Sequence, residues 1–416
     1  MPTPLPKTVR AHLPFPTKDK SHATWVSMLG FLCALPAFSG DLYLSALPTI
    51  AGEFQTTDTA VQLTIATTML GAACGQALVG PLSDRYGRKR PLLIGLFVHC
   101  ILSLLCAWAT NVYQLMAFRF IQGATNATAN VIAMAINRDL FTGRYLSKML
   151  SRIVLVIGVA PMIAPSIGSI VIMYSSWRFV FVLLAIIGAI NWVICWFWLP
   201  DTHPRSQRIK QINLLHIFRL WKRILSDLRF LSFAINNGVV SVIMMSWVMS
   251  APFIAENDWG FTQLAFGLTF AVTGIGMICG SQINAYMVTR IAPQKILRVA
   301  QPLQWFLILV MTITSYFISE AVVLLPILFL VFATSNPISA NANSLALHDK
   351  GDLAGTASGL LGMMMTVLPA IFSPIVGYLG NTFSVLSTVM LIFASLSSIT
   401  LIFGAKVYSS KEGIRD

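Results

Sequence analysis

The sequence predicts an all-α polytopic membrane protein of twelve transmembrane helices, arranged as two six-helix repeats. Three observations carry that prediction. The 416 residues are 56% hydrophobic and only 10% charged, with a mean hydropathy of +0.75. Soluble domains carry about 25% charged residues, so a soluble enzyme is excluded, and a solvated disordered chain is excluded by the same apolar excess. The apolar runs are continuous over about 20 residues, the length that spans a bilayer, and lack the alternation of an outer-membrane barrel. The third observation is the placement of the net charge of +13, which falls on one side of the resulting layout.

The runs cover residues 25–48, 61–80, 91–108, 113–137, 148–174, 177–199, 230–253, 263–288, 296–318, 322–345, 353–379 and 383–405. With the N-terminus inside, the inner segments collect 26 of the 28 basic residues, all except Arg119 and Arg178. Outer loops instead carry Glu53, Asp58, Glu256, Asp258 and Glu320. This asymmetry follows the insertion bias of membrane helices, places both termini in the cytoplasm, and removes nucleic acid as the explanation of the charge. Residues 1–23 hold five prolines and four basic residues without an apolar run, and read as a disordered cytoplasmic tail, not a cleaved signal. Residues 200–229 are basic and amphipathic and form a cytoplasmic linker. They divide an N-terminal six-helix bundle (24–199) from a C-terminal one (230–405), with a second tail over 406–416. The six cysteines all fall inside spans with no C-x-x-C spacing, and the histidines are scattered, so neither a disulfide framework, a metal site nor a cofactor is expected.

The two halves resemble each other weakly but in order. Pro48, Ile50 and Ala51 align with Pro252, Ile254 and Ala255; Gly75, Arg85 and Arg90 with Gly280, Arg290 and Lys295. Thr125, Asn126 and Asp139 align with Ser335, Asn336 and Asp349, and Pro165 and Gly168 with Pro374 and Gly377. Parallel repeats around a central cavity are a transporter architecture, with the substrate near the midplane.

A charge at the bilayer centre costs at least ~2.5–3.5 kcal/mol, so a charge retained there points to function. Asp41 and Arg119 are the two that stand out, at similar depth in the outer half of spans one and four. They either pair as a structural ion pair or face one cavity, where Asp41 would exchange a proton or hold a cationic substrate. Arg119, Gln122, Asn126, Asn130 and Asn137 line one face of span four, as cavity lining or as hydrogen-bonding glue between helices. Asn336, Ser339 and Asn343 partly echo them in span ten. Methionines cluster at Met244, Met245 and Met249 and at Met363, Met364 and Met365; such side chains suit a broad apolar pocket and equally serve as ordinary packing. Pro36, Gly40, Pro161, Pro165, Pro369 and Pro374 mark expected kinks.

The stretch Gly80-Pro-Leu-Ser-Asp-Arg-Tyr-Gly-Arg-Lys-Arg90 closely resembles the signature loop of the major facilitator superfamily. Its two glycines, Gly80 and Gly87, read as a tight turn, and Asp84 with its basic neighbours can bridge helix ends. The resemblance implies a cytoplasmic gate in which Asp84, Arg85, Arg88 and Arg90 act with Asp139 and with the start of span eleven. Asp41-Leu-Tyr-Leu-Ser-Ala-Leu-Pro-Thr-Ile50, Arg119-Phe-Ile-Gln-Gly123 and Ala160-Pro-Met-Ile-Ala-Pro-Ser-Ile-Gly168 are similar to the first-, fourth- and fifth-span motifs of drug:proton antiporters. With Pro200-Asp-Thr-His-Pro204 they resemble the bicyclomycin-resistance (Bcr/CflA) branch of multidrug efflux proteins, over almost the whole chain after the tail. Ala164 and Ser169 stand where the fifth-span motif usually has glycines, and Thr289 replaces the aspartate in the second copy of the loop.

The expected function is therefore proton-coupled export of small amphipathic, drug-like molecules by alternating access, in a bacterial inner membrane and as a monomer. Asp41 would carry the proton and Arg119 would tune or relay the coupling. Tyr43, Gln122, Asn126, Asn130, Met244, Met245, Asn336 and Met364 would line the substrate cavity. Export of a dedicated metabolite, such as a siderophore or amino-acid derivative, keeps the same fold with a different cargo. A channel or membrane enzyme lacks support, because the chain has neither a filter-like repeated loop nor a nucleophile–base or metal constellation.

Overall fold

The computed structural model describes residues 20–412 apart from 142, 204–205, 207, 209–213, 349 and 351–352. The expected N-terminal tail up to residue 19, Pro204, most of the linker over 204–213, Asp349 and residues 413–416 lie outside the described residues. By internal contacts the chain falls into two compact units, one built from the chain up to Ala46 and Thr67–Ile212, the other from Leu47–Ala66 and Asn213–Asp416. The sequence puts the boundary at residues 200–229 alone; the structure also counts Leu47–Ala66 with the second unit. The reason is local: Gln62 donates to the Met249 carbonyl at 3.1 Å and to Asn381 Oδ1 at 2.8 Å, and Asn381 donates to Asp58 at 3.1 Å.

Fifteen α-helices account for the described residues, with no strand among them. In the first unit they are α1 (Lys20–Asp41), most of α3 (Asp58–Tyr86), α4 (Lys89–Ala107), α5 (Val112–Leu140), α6 (Gly143–Tyr174) and α7 (Arg178–Trp198). The second unit holds α2 (Leu47–Glu53), α8 (Leu214–Leu225), α9 (Leu228–Asn257), α10 (Gln263–Met287) and α11 (Pro293–Phe317). It continues with α12 (Ala321–Leu347), α13 (Ala354–Phe372), α14 (Ile375–Leu379) and α15 (Phe383–Glu412). Ten stretches are long and apolar enough to cross a membrane by length and composition. α5, at 29 residues, is not among them because its polar face lowers the average, and α6 contributes a shorter apolar stretch, Gly158–Tyr174.

In hydrocarbon every backbone polar group must be satisfied within the protein, so spanning segments are helices whose ends need caps. Asn111 accepts from the Gln114 N–H at the start of α5, Thr262 from Ala265 at the start of α10, and Asp227 from Arg229 at the start of α9. Pro293 opens α11, where its missing N–H costs nothing. Two expected spans are broken. The first stops at Asp41, turns through a 3₁₀ segment (Leu44–Ala46) and resumes as α2; the eleventh breaks at Ser373–Pro374, between α13 and α14.

Each unit buries its own apolar core. In the first it gathers Leu29 and Leu32 of α1, Leu92 and Leu96 of α4, and Ile132 and Ile136 of α5. In the second it gathers Phe230 and Phe233 of α9, Leu297 of α11, Ile338 of α12 and Leu360 of α13, with Ile224 of α8. The basic residues of α8, Arg219, Lys222 and Arg223, stay exposed on the opposite face of that amphipathic helix. Large apolar side chains such as Phe97, Phe197 and Phe306 are exposed on the outer helix surfaces, as expected of a chain whose solvent is lipid.

Glycines set the helix spacing, and they do so alike in both units. A Cβ on Gly71 or Gly75 of α3 would meet the Phe120 or Ala124 carbonyl of α5 at 1.8 and 2.4 Å. On Gly276 or Gly280 of α10 it would meet the Phe329 or Ala333 carbonyl of α12 at 2.6 and 1.9 Å. Small residues four apart let backbones approach closely, which is how membrane helices associate when no hydrophobic drive separates helix from lipid.

Candidate functional site

Breaking span one inside the bundle leaves carbonyls at the end of α1 without their normal helical partners. Arg119, fully buried on α5, fills that role: its Nη1 donates to the Ser39 carbonyl at 2.8 Å and to Gln122 Oε1 at 2.9 Å. A cation at a helix C-terminus is favoured by the aligned peptide dipoles, and burial strengthens the effect. The guanidinium also lies over the Tyr43 and Phe181 rings, 4.7 and 5.7 Å from their centroids. Its Nε and Nη2 have no acceptor among the described residues.

Asp41 does not supply one. It is the last residue of α1, half-buried, and makes no ion pair or hydrogen bond among the described residues. The site thus combines a carboxylate without a donor and a guanidinium with two nitrogens to spare, joined through Ser39 two residues before Asp41. The turn that follows is held from the other side by α6. A Cβ on Gly168 would meet the Leu42 carbonyl at 2.1 Å, so the end of the fifth-span motif seats the break in span one.

The polar face of α5 extends the network. Asn126 Nδ2 donates to Ser39 Oγ at 2.9 Å, and Gln122 Nε2 donates to Ser103 Oγ of α4 at 2.8 Å. Ser103 donates in turn to the His99 carbonyl at 2.8 Å, and its hydroxyl lies 3.4 Å from His99 Nε2. Arg119, Gln122, Asn126 and Tyr43 are therefore drawn together. Asn130 is half-buried with Oδ1 unpartnered, and Asn137 is buried deeper in the apolar core. Sequence reasoning missed Ser39, His99, Ser103 and Phe181. The spacing of His99 and Ser103, one helical turn apart in an apolar span, was the available signal for two of them.

In the second unit Met244, Met245 and Met364 are half-buried. Asn336 donates to the Met277 carbonyl at 3.1 Å, a helix-to-helix contact. Polar grouping falls instead on Asn237 of α9, another residue the sequence did not single out. It donates to Asn343 Oδ1 at 2.6 Å and to Met365 Sδ at 3.1 Å, and accepts from Ser339.

The signature loop forms a separate cluster in the first unit. Arg88 binds Asp84 at 2.5 Å and Asp139 at 3.0 Å. Its backbone N–H donates to Asp201 Oδ1 at 2.9 Å, Asp201 binds Arg208 at 2.6 Å, and Thr202 donates to Asp139 at 3.0 Å. Burial works against the charge on Arg88, but hydrogen bonds and attraction from Asp139 and Asp84 outweigh it and hold the guanidinium above the ordinary arginine range. Arg85 lies outside the cluster, exposed and stacked on Tyr86, and Arg90 is also exposed.

The two loop glycines differ. Gly80 sits inside α3 with open space where a side chain would go, so the tight turn expected of both belongs to Gly87, at φ +86°. A Cβ on Gly87 would also meet Asp201 Oδ2 at 2.2 Å. Gly87→Ala should therefore destabilise by about 1–2 kcal/mol from the left-handed backbone alone. Gly80→Ala should stay within about 0.5 kcal/mol of the parent. Thermal unfolding of the detergent-purified variants measures the difference, and equal stability of the two would contradict the assignment.

A many-helix membrane bundle with matching helix contacts in two units, and a buried polar chain at a broken helix, has the form of a membrane transporter. The chain belongs to the Major Facilitator Superfamily, whose family profile it matches over residues 28–372. It is thus a multi-pass membrane transporter and not an enzyme. It is 31% identical to the uncharacterized MFS-type transporter YdgK of Bacillus subtilis over 374 residues, covering 89% of this chain and 93% of that one. It is 30% identical to a bicyclomycin resistance protein homolog of Haemophilus influenzae over 369 residues (86% and 90%), and 26% identical to the multidrug resistance protein MdtL of Salmonella paratyphi B over 364 residues (87% and 90%). Among solved structures, the nucleoside transporter NupG superposes with a TM-score of 0.72 at 15% identity, over 92% of this chain and 99% of that one. A bacterial homolog of the lysosomal transporter Spinster, in an inward-facing conformation, gives 0.71 at 12% identity (94% and 97%).

Proposed function

We propose that this transporter is a proton-coupled exporter of small amphipathic molecules, working by alternating access in a bacterial inner membrane with both termini in the cytoplasm. The observation that carries the reading is the pairing of needs at the break in span one. Among the described residues Asp41 closes no hydrogen bond or ion pair, while Arg119 caps the Ser39 carbonyl with two nitrogens to spare. In the proposed cycle, protonated Asp41 leaves Arg119 on Ser39, and ionised Asp41 takes Arg119 or a cationic substrate as its counter-ion. Each proton bound or lost therefore rearranges the polar face of α5.

Drug-like cargo is supported by relatives named for bicyclomycin and multidrug resistance. Tyr43, Gln122, Asn126, Asn130, Met244, Met245, Asn336 and Met364 are assigned to the substrate path, with the methionines as adaptable apolar contacts. The Asp84–Arg88–Asp139 cluster is assigned to the cytoplasmic gate. The six-helix bundles 24–199 and 230–405 are the moving bodies, joined by the linker 200–229, and the unit of function is the monomer.

Reconstituted vesicles with an imposed pH gradient test this. Uptake of a fluorescent amphipathic cation should collapse when the gradient is dissipated. It should fall at least about tenfold in Asp41→Asn, equivalent to about 1.4 kcal/mol of barrier. Transport that ignores the gradient, or that Asp41→Asn leaves intact, would overturn the proton-carrier assignment.

A further inference from the structure

His99 is fully buried on α4 and takes no part in the coupling scheme described so far. A Cβ on Gly188 of α7 would meet its Cδ2 at 2.8 Å, so the ring is held against that helix. Asn126 and the Leu184 backbone act on the ring, and Nδ1 closes no well-formed hydrogen bond among the described residues. Nε2 lies 3.4 Å from Ser103 Oγ. From there the path to the guanidinium is short: Gln122 Nε2 donates to Ser103 Oγ at 2.8 Å, and Gln122 Oε1 accepts from Arg119 Nη1 at 2.9 Å.

The hydrogen-bond arithmetic allows both charge states of the ring. A serine hydroxyl has one hydrogen to give and two lone pairs to receive. Ser103 gives its hydrogen to the His99 carbonyl and receives one from Gln122. One lone pair is left, and an Nε2–H of His99 fills it in either charge state, so the added proton goes to Nδ1, on the side of the ring that meets the Leu184 backbone. What changes is charge. The charged side chain acting on the ring is Arg119 of α5. From α7 the ring meets Gly188 and Leu184, which carry none, and from its own helix the neighbouring titratable groups are Cys100 and Cys106. Two cations cannot cheaply share so dry a pocket.

We propose that His99 is a positioning residue for Arg119: neutral, with its hydrogen on Nε2, it anchors the Ser103–Gln122 arm that holds the guanidinium on Ser39, and protonated at Nδ1 as well, it drives Arg119 off toward Asp41. The proton enters from water onto Nδ1 and returns to water when Arg119 moves back; that N–H is the one covalent bond made and broken, and the Arg119 hydrogen bond to Ser39 is what is exchanged. This rests on the proton-coupled reading of the site, and it adds a second titrating group to that reading. Coupled groups titrate as a pair, so removing one moves the apparent midpoint of the other.

The test measures exchange rate against pH in vesicles for the parent, His99→Gln and Ser103→Ala. The expected result is a midpoint displaced by about one pH unit or more in both variants, with substrate KM unchanged. Ser103→Ala keeps the imidazole and cuts its connection, so it carries the test alone if His99→Gln is not recovered folded. Profiles superimposable on the parent, or a uniform drop at every pH, would overturn the role of His99. If the parent itself ignores a pH gradient, the proton-coupled reading falls and this inference falls with it. If the parent responds and both variants match it, only the inference falls.

Discussion

Arg119→Ala should abolish transport, lowering the rate at least about a hundredfold, equivalent to about 2.7 kcal/mol. The substitution removes two charge-assisted hydrogen bonds, to Ser39 and Gln122, and the cation over Tyr43 and Phe181. Bonds to charged groups are worth about 1.5–3 kcal/mol each. The loss of folding stability should be smaller than their sum, because deleting a buried charge also deletes its desolvation penalty. Function has no such compensation, since the end of α1 loses its cap and, in the proposed cycle, ionised Asp41 loses the counter-ion it would take. Arg119→Lys sharpens the test. An ammonium is a point charge and cannot reproduce a planar fork that meets a carbonyl, an amide and two ring faces together. Arg119→Lys should therefore fold like the parent yet fail to restore gradient-driven transport. Full activity of Arg119→Lys in the vesicle assay would show that the geometry of the guanidinium does not matter.

The second large effect is structural. Gly123→Ala should destabilise the first unit more than any other alanine substitution on α5. Its Cβ would lie 1.9 Å from the Thr68 carbonyl of α3, while Gly71 of α3 faces the Phe120 carbonyl at 1.8 Å. The obstructing atoms are backbone in both directions, so no side chain can swing away and the helices must separate. Overpacking typically costs about 1–3 kcal/mol, and a backbone clash belongs at or above the top of that range. Separation would also shift α5, and with it Arg119 and Gln122, relative to Ser39. The control is Gly355→Ala, where nothing lies within 4 Å; it should leave stability unchanged or slightly raised. A fall in the thermal midpoint and in the monodisperse fraction for Gly123→Ala, absent from Gly355→Ala, is the expected pair of results. Equal behaviour would mean that the close approach does not set the spacing.

Much of the site was legible because its residues are expensive. Asp41 and Arg119 stand out in an apolar sequence, and Gln122 and Asn126 follow from their spacing on the face that carries Arg119. Asp84 and Arg88 come from a loop whose residue types announce a bridge between helix ends, while Asp139, near the end of α5, follows only from the family resemblance. Ser39, Ser103 and Asn237 are small or neutral, and carry no such penalty to mark them in a span. Arg85 and Arg90 look equivalent to Arg88 on paper. The turn at Gly87 directs only Arg88 toward Asp84, Asp139 and Asp201, and the other two are left exposed.

The sequence by itself determined that this is a helical, multi-pass membrane protein. In hydrocarbon a chain must satisfy its backbone internally, so a long apolar run has no alternative to a helix. It also determined which charges would be costly enough to need a purpose. Only the tertiary structure decided their partners. Two opposite charges at equal depth suggest an ion pair, yet among the described residues Arg119 hydrogen-bonds the Ser39 carbonyl and makes no such contact with Asp41. The physical reason is that span one breaks at Asp41, and Gly168 and Gly123 bring the neighbouring helices within backbone contact of the turn after α1 and of α3. Those approaches, made by residues with no side chain at all, set what a long cation on α5 can reach.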